Sequence, residues 1–243
     1  MKDFGGAPVI YDLNPFEIST IQQHPLGAKA ETGDGRIFRY GLAGTGGVTL
    51  GYLGVMPDQD TTEVTMAVTT AAAIGAKSIT FTHAATTATA NEYTEGFVVV
   101  SYGTGLGQTL KISSHLAFAS GQEGAIVKLA DPLEVALDTT SKIDLVANPY
   151  NGVISVTTDA AISVPCGVPI ATQTAAYYGW YQTRGVVSVA ADSTIAAGYE
   201  IQGDVDDSGK IDVTGTDAQV WKIGHSLQAG ADTYSHAVYL TID

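Results

Sequence analysis

The sequence is poor in positive charge and almost without cysteine. Three arginines (Arg36, Arg39, Arg184) and eight lysines stand against 25 acidic residues, for a formal net charge of −14. A surface of that sign repels phosphate backbones, so nucleic acid is excluded as a partner on electrostatic grounds. Beyond that exclusion, the charge speaks to solubility. Cys166 is the single cysteine. No internal disulfide framework is possible, and packing and ladder hydrogen bonds must hold the fold. The run Val164-Pro165-Cys166-Gly167-Val168-Pro169 is apolar and punctuated by proline, which reads as a buried free thiol rather than an activated nucleophile. Long hydrophobic runs are missing too. Nothing approaches the roughly 18 uncharged apolar residues of a spanning helix, and residues 1–9 carry no apolar signal core, so neither secretion nor a membrane anchor is expected.

Motifs that carry a mechanism are equally scarce. His24, His83, His115, His225 and His236 show no zinc-type spacing, and no Gly-x-Ser-x-Gly elbow presents a nucleophile. Gly103-Thr104-Gly105-Leu106-Gly107 follows an apolar run but lacks the remaining dinucleotide glycine and a following helix, so a wide turn is expected. The sharpest metal candidate is the loop from Gly203 to Asp212, where Asp204, Asp206, Ser208 and Asp212 fall at calcium-loop positions and resemble a dockerin-type repeat. The twelfth position of that loop, however, is Gly215, and no helical pattern flanks it. A β-hairpin turning on Asp207-Ser208-Gly209 is the stronger reading. No enzyme, cofactor or metal is therefore expected.

What the chain does have is 28 glycines, together with abundant Thr, Val and Ala, which favours strands joined by tight turns. Asp34-Gly35 between short alternating runs signals a hairpin that places Phe38 and Tyr40 on one face. Strands are expected at 48–55, 63–68, 78–82, 96–102, 108–113, 125–129 and 143–147, then at 186–189, 197–201, 220–227 and 237–242. Breaks in character at Pro57–Thr62 and Asn148–Gly152 divide the chain. The predicted fold is all-β: two β-sandwich or barrel-like modules with an extended N-terminal arm. The arm covers 1–24, a discontinuous β-barrel domain covers 25–57 plus 152–243, and an inserted β module covers 58–151.

Two groups of residues point to contacts rather than chemistry. The arm carries Phe4, Val9, Tyr11, Phe16 and Ile18 without a sustained period. It either tethers a neighbouring subunit or lies on its own domain, because terminal segments order only when tied down. The cluster Tyr177, Tyr178, Trp180 and Tyr181 suits either a sugar platform or packing in a core or subunit interface. Alternation puts Tyr178 and Trp180 on one face, and these two are assigned to an aromatic interface.

The strings His24-Pro25-Leu26-Gly27 with Asp34-Gly35-Arg36-Ile37-Phe38-Arg39-Tyr40, Asn91-Glu92-Tyr93-Thr94-Glu95-Gly96 with Gly105-Leu106-Gly107-Gln108, and Tyr178-Gly179-Trp180-Tyr181-Gln182-Thr183-Arg184-Gly185 resemble structural proteins of marine tailed phages, in particular the capsid decoration or cement class. The resemblance runs over most of 24–243. It implies a β-rich homotrimer made in the host cytoplasm and carried on the outer capsid surface of the virion. There it would bridge and stabilise major capsid protein subunits, with no catalytic residues and no membrane or nucleic-acid partner. A tail, fibre or glycan-binding receptor module is the alternative expectation.

Overall fold

The computed structural model describes residues 14–156, 164–204, 208–215, 221–231 and 234–243. Phe4, Val9 and Tyr11 lie outside the described residues, as does Asp206. Within them every regular element is a strand, and the fold is all-β. β1 (Lys29–Glu31), β2 (Ile37–Ala43) and β3 (Gly54–Val55) come first. They are followed by β4 (Met66–Thr70), β5 (Ser78–Phe81), β6 (Phe97–Tyr102), β7 (Thr109–His115), β8 (Ala125–Leu129) and β9 (Lys142–Val146). The remainder are β10 (Asn151–Ser155), β11 (Pro165–Pro169), β12 (Tyr178–Ala190), β13 (Glu200–Gly203), β14 (Ile211–Val213), β15 (Lys222–Ser226) and β16 (Ser235–Thr241). They fall into two compact units. One combines the described residues up to Asp58 with those from Pro149 onward; the other is Gln59–Asn148.

The Gln59–Asn148 unit is a closed six-stranded barrel in the order β4-β5-β8-β7-β6-β9, with every pair antiparallel. Closure leaves none of these strands with an unpaired edge. Alternation explains the inside and outside: in β8, Ala125, Val127 and Leu129 are buried while Ile126 and Lys128 face out. Phe81, Val98, Val100, Ile112, Ile143 and their neighbours fill the interior, and Leu133 and Leu137 join them from the loop between β8 and β9. Each such side chain is worth about 1.5–3 kcal/mol of burial. The strand expected at 63–68 begins only at Met66, because Thr65 takes a left-handed φ of 54° and gives its N–H to Asp144 at 2.6 Å.

In the discontinuous unit ten strands pair in the order β1-β2-β10-β3-β11-β12-β16-β15-β13-β14. A further β2–β12 pairing closes β2, β10, β3, β11 and β12 into a ring. β2 and β10 run parallel, a pairing that needs a long crossover; here the connection contains β3 and the whole barrel sequence. β12 is the hub. Tyr178–Arg184 pair with β2 and Arg184–Ala190 with β16. The strand expected at 186–189 is the second half of this longer one: a bulge between Gln182 and Arg184 and the φ of 90° at Gly185 bend it without ending it. By contrast, most of the strand expected at 48–55 is a turn, with the Tyr52 N–H bonded to the Thr49 carbonyl at 3.0 Å; Val48 makes an isolated antiparallel bridge with Gln173, and Gly54–Val55 form the two-residue strand β3. Pro149 and Tyr150 bond into this unit. The Tyr150 carbonyl accepts the Leu42 N–H at 2.9 Å and the Pro149 carbonyl accepts the Cys166 thiol at 3.2 Å.

Candidate docking face

Residues 14–24 are not a free strand-like arm. Ser19 forms an antiparallel bridge with Tyr178, its N–H donating at 2.9 Å and its carbonyl accepting at 2.7 Å. Farther along, the Gln23 N–H donates to the Tyr40 hydroxyl at 3.0 Å. His24 then sits edge-on to Tyr40 and tilted against Trp180, with both centroid separations 5.2 Å. Tyr40 and Trp180 are register partners across β2 and β12, 5.0 Å apart edge to face, and Tyr178 stacks on Tyr40 at 5.9 Å. Pairs in these geometries contribute about 0.5–1.5 kcal/mol beyond their buried area. Burial, first of all, pushes the Tyr40 hydroxyl above its ordinary pKa, against the lowering effect of the Gln23 hydrogen bond.

The segment therefore covers an aromatic cluster and turns its own apolar side chains outward. Phe16 is 63 % exposed, Ile18 42 % and Ile21 69 %. Local hydrogen bonds hold the backbone that carries them: Phe16 N–H to Asn14 Oδ1 at 3.2 Å, Glu17 N–H to the Asn14 carbonyl at 3.0 Å, and Ile21 N–H to Ser19 Oγ at 3.0 Å. Three exposed aliphatic or aromatic groups on a pinned segment form an apolar surface with little left to order on binding.

The two aromatic residues assigned to an interface separate. Tyr178 is half-buried beneath the segment, whereas Trp180 is 1 % exposed and belongs to the unit's own core with Ala30, Phe38 and Tyr40. Trp180 thus presents no surface to a partner. Tyr181 points to the opposite face and is fully buried with Val48, Val153 and Cys166. With Trp180 and Tyr181 both enclosed, the cluster does not form a sugar platform.

Cys166 is a buried free thiol whose pKa burial drives upward. In the calcium-like loop, β13 and β14 pair as a hairpin with Gly203 opposite Ile211. The Ser208 hydroxyl donates to the Val156 carbonyl at 2.7 Å, and Asp212 accepts from Ser193. Among the described residues no group of three or more His, Cys, Asp or Glu side chains is placed to hold a metal.

In the barrel unit, His115 is held in one tautomer. Its Nε2 accepts the Tyr93 N–H at 3.0 Å while its Nδ1 donates to the Leu116 carbonyl at 2.7 Å, and burial lowers its pKa. His83 Nε2 lies 3.0 Å from Glu63 Oε1 without hydrogen-bond alignment, and both side chains are fully buried. Thr86 Oγ1 donates to the same Glu63 oxygen at 2.7 Å. No sequence motif marks this pair, because Glu63 and His83 are brought together by the pairing of β4 with β5.

Comparisons of the chain with protein-family models, with curated proteins and with solved structures gave no match.

Proposed function

We propose that this chain is a structural virion protein that decorates the outer capsid of a tailed phage. In this role it assembles as a homotrimer and stabilises the shell by bridging major capsid protein subunits. The observation that carries the proposal is the outward presentation of Phe16, Ile18 and Ile21 on a segment tied to the sheet through Ser19 and Tyr178. Burying each of these side chains against a partner would contribute about 2 kcal/mol. A trimer would engage three such patches at once, so weak single contacts would add through effective concentration. The acidic surface and the all-β architecture fit a packing role.

The test is to mix the purified protein with undecorated capsids, measure occupancy by co-sedimentation and locate it by electron microscopy. The triple variant Phe16→Ser, Ile18→Ser, Ile21→Ser is expected to stay folded and lose occupancy. Substitution is preferable to deleting residues 1–20, which would remove Ser19 and unseat the cover on Tyr178. Full occupancy of the triple variant would defeat the proposal, and labelling confined to tails would favour the fibre reading. Light scattering on the isolated protein reads the oligomeric state.

A further inference from the structure

We infer that the barrel unit carries a binding site for an amphipathic organic anion, a carboxylate joined to a compact apolar body. A cavity of about 410 Å³ lies beside the β7–β8 ribbon, lined among others by Asn91, Ser114, Leu116, Gln122, Ile126 and Lys128. That volume falls in the range of small-molecule sites, which combine apolar walls with a few placed polar groups.

The polar groups here are biased toward donation. Asn91 Oδ1 already accepts the His115 N–H at 3.0 Å and the Thr94 hydroxyl at 3.2 Å. Gln122 Oε1 accepts the Ala119 N–H at 2.9 Å. With both amide oxygens engaged, what these side chains have left to offer is their NH₂ groups. Lys128 adds an ammonium, which has three donors and no acceptor. Ser114 and Lys128 are register partners across β7 and β8, so their side chains share the barrel's outer face. Lys128 has no ionic partner among the described residues, although the chain carries a net charge of −14. Among the described residues no acidic side chain lines the cavity. An uncompensated cation beside spare amide donors complements a carboxylate, and charge-assisted hydrogen bonds of this kind are about twice as strong as neutral ones.

The rest of the lining selects against a fully hydrated anion. Leu116 is 81 % exposed and Ile126 49 %, so both lose water when an apolar body covers them. Beneath, the His115 ring is locked by its two hydrogen bonds and stacks on Phe118 at 4.5 Å. The floor is therefore set in advance of any ligand. This inference rests on the barrel alone and stands or falls independently of the capsid reading.

The probes are octanoate, which has body and charge, 1-octanol, which has the body alone, and acetate, which has the charge alone. Each is titrated into the isotopically labelled full chain and followed by amide chemical shifts. Octanoate is expected to shift the amides of 114–128 saturably, with an affinity at least tenfold above octanol and acetate. The exposed Lys128→Gln substitution, whose retained fold is read from the same spectrum, is expected to lower octanoate affinity five- to tenfold and leave octanol unchanged. Leu116→Ser should weaken octanoate and octanol alike. Equal affinity for octanoate and octanol, an unaffected Lys128→Gln variant, or shifts spread away from Asn91 and 114–128 would each overturn the inference.

Discussion

Replacing Tyr181 by phenylalanine is expected to stabilise the protein. The Tyr181 ring is fully buried on the inner side of β12, where Gly41 and Gly54 leave room for it: a Cβ at either glycine would press on the ring at 3.0–3.3 Å. Its hydroxyl is buried with no hydrogen-bond partner among the described residues, and burial raises its pKa. An unsatisfied buried hydroxyl costs about 1–3 kcal/mol of desolvation. Removing one oxygen opens a void of roughly 10–15 Å³, which at about 24 cal/mol per Å³ subtracts only ~0.3 kcal/mol. The net gain is about 1–2 kcal/mol, or roughly 3–6 °C in Tm for a unit of this size. Both tryptophans, Trp180 and Trp221, lie in the discontinuous unit, so tryptophan fluorescence during urea or thermal unfolding reads that unit alone. The same substitution at Tyr40 should have the opposite sign, a loss of about 1 kcal/mol, because the Tyr40 hydroxyl accepts the Gln23 N–H. A lowered Tm for Tyr181→Phe would refute the reasoning, since it would mean that the hydroxyl is satisfied in the folded state.

Gly209→Ala should cost more than about 2 kcal/mol: the φ of 82° alone disfavours alanine by about 1 kcal/mol, and the new Cβ would overlap the Tyr52 ring. Trimming Tyr52 to alanine in the same chain should make the glycine replacement cheaper, again read by tryptophan fluorescence. The Asp243 carboxylate is gripped by Arg39 at 2.8 and 2.9 Å and by the Thr183 hydroxyl at 2.8 Å. Burial pushes its pKa up, but these hydrogen bonds outweigh burial and hold it below the usual aspartate value. A depressed folded pKa gives stability that is present above the unfolded value near ~3.9 and lost as pH falls through the folded one. Asp243→Asn should therefore cost about 1 kcal/mol at pH 7 and almost nothing near pH 2, as seen in urea midpoints across that range. In the barrel, His83→Phe strands the Glu63 carboxylate and should cost about 3 kcal/mol, whereas the Glu63→Met, His83→Phe double variant should recover most of the loss. Hydrogen exchange of the β4–β9 amides measures both variants.

Several elements are legible from local chemistry alone. β8 reads as 125–129 because Ala-Ile-Val-Lys-Leu alternates in a single register, with Ala125, Val127 and Leu129 inward. The Asp34-Gly35 turn delivers the β1–β2 hairpin, with Glu31 opposite Ile37, and carries Phe38 and Tyr40 into one core. The glycine-rich stretch 103–107 is the connection between β6 and β7, in keeping with its lack of a helix signal. β10 and β11 are not legible in this way. Asn151–Ser155 begins with polar and glycine residues, and Pro165–Pro169 has proline at both ends. Both become strands because β2, β3 and β12 offer partners from distant parts of the chain.

The candidate docking face divides in the same way. An apolar N-terminal segment is visible as composition, and Phe16 and Ile18 are among its named residues. That the segment bonds to Tyr178, turns those side chains outward and covers Trp180 depends on a bridge between residues far apart in sequence. Gly209 shows the limit most plainly. In the sequence it looks like a turn or calcium-loop glycine; in the fold it is where the Tyr52 ring meets the backbone and where the Leu53 N–H finds its acceptor at 2.8 Å. Periodicity and turn preference are properties of neighbouring residues, and they suffice for the all-β class and many strand positions. Which strands close a ring, which face of Trp180 stays dry and which donors gather beside Lys128 follow from contacts between distant segments, and those exist only once the chain has folded.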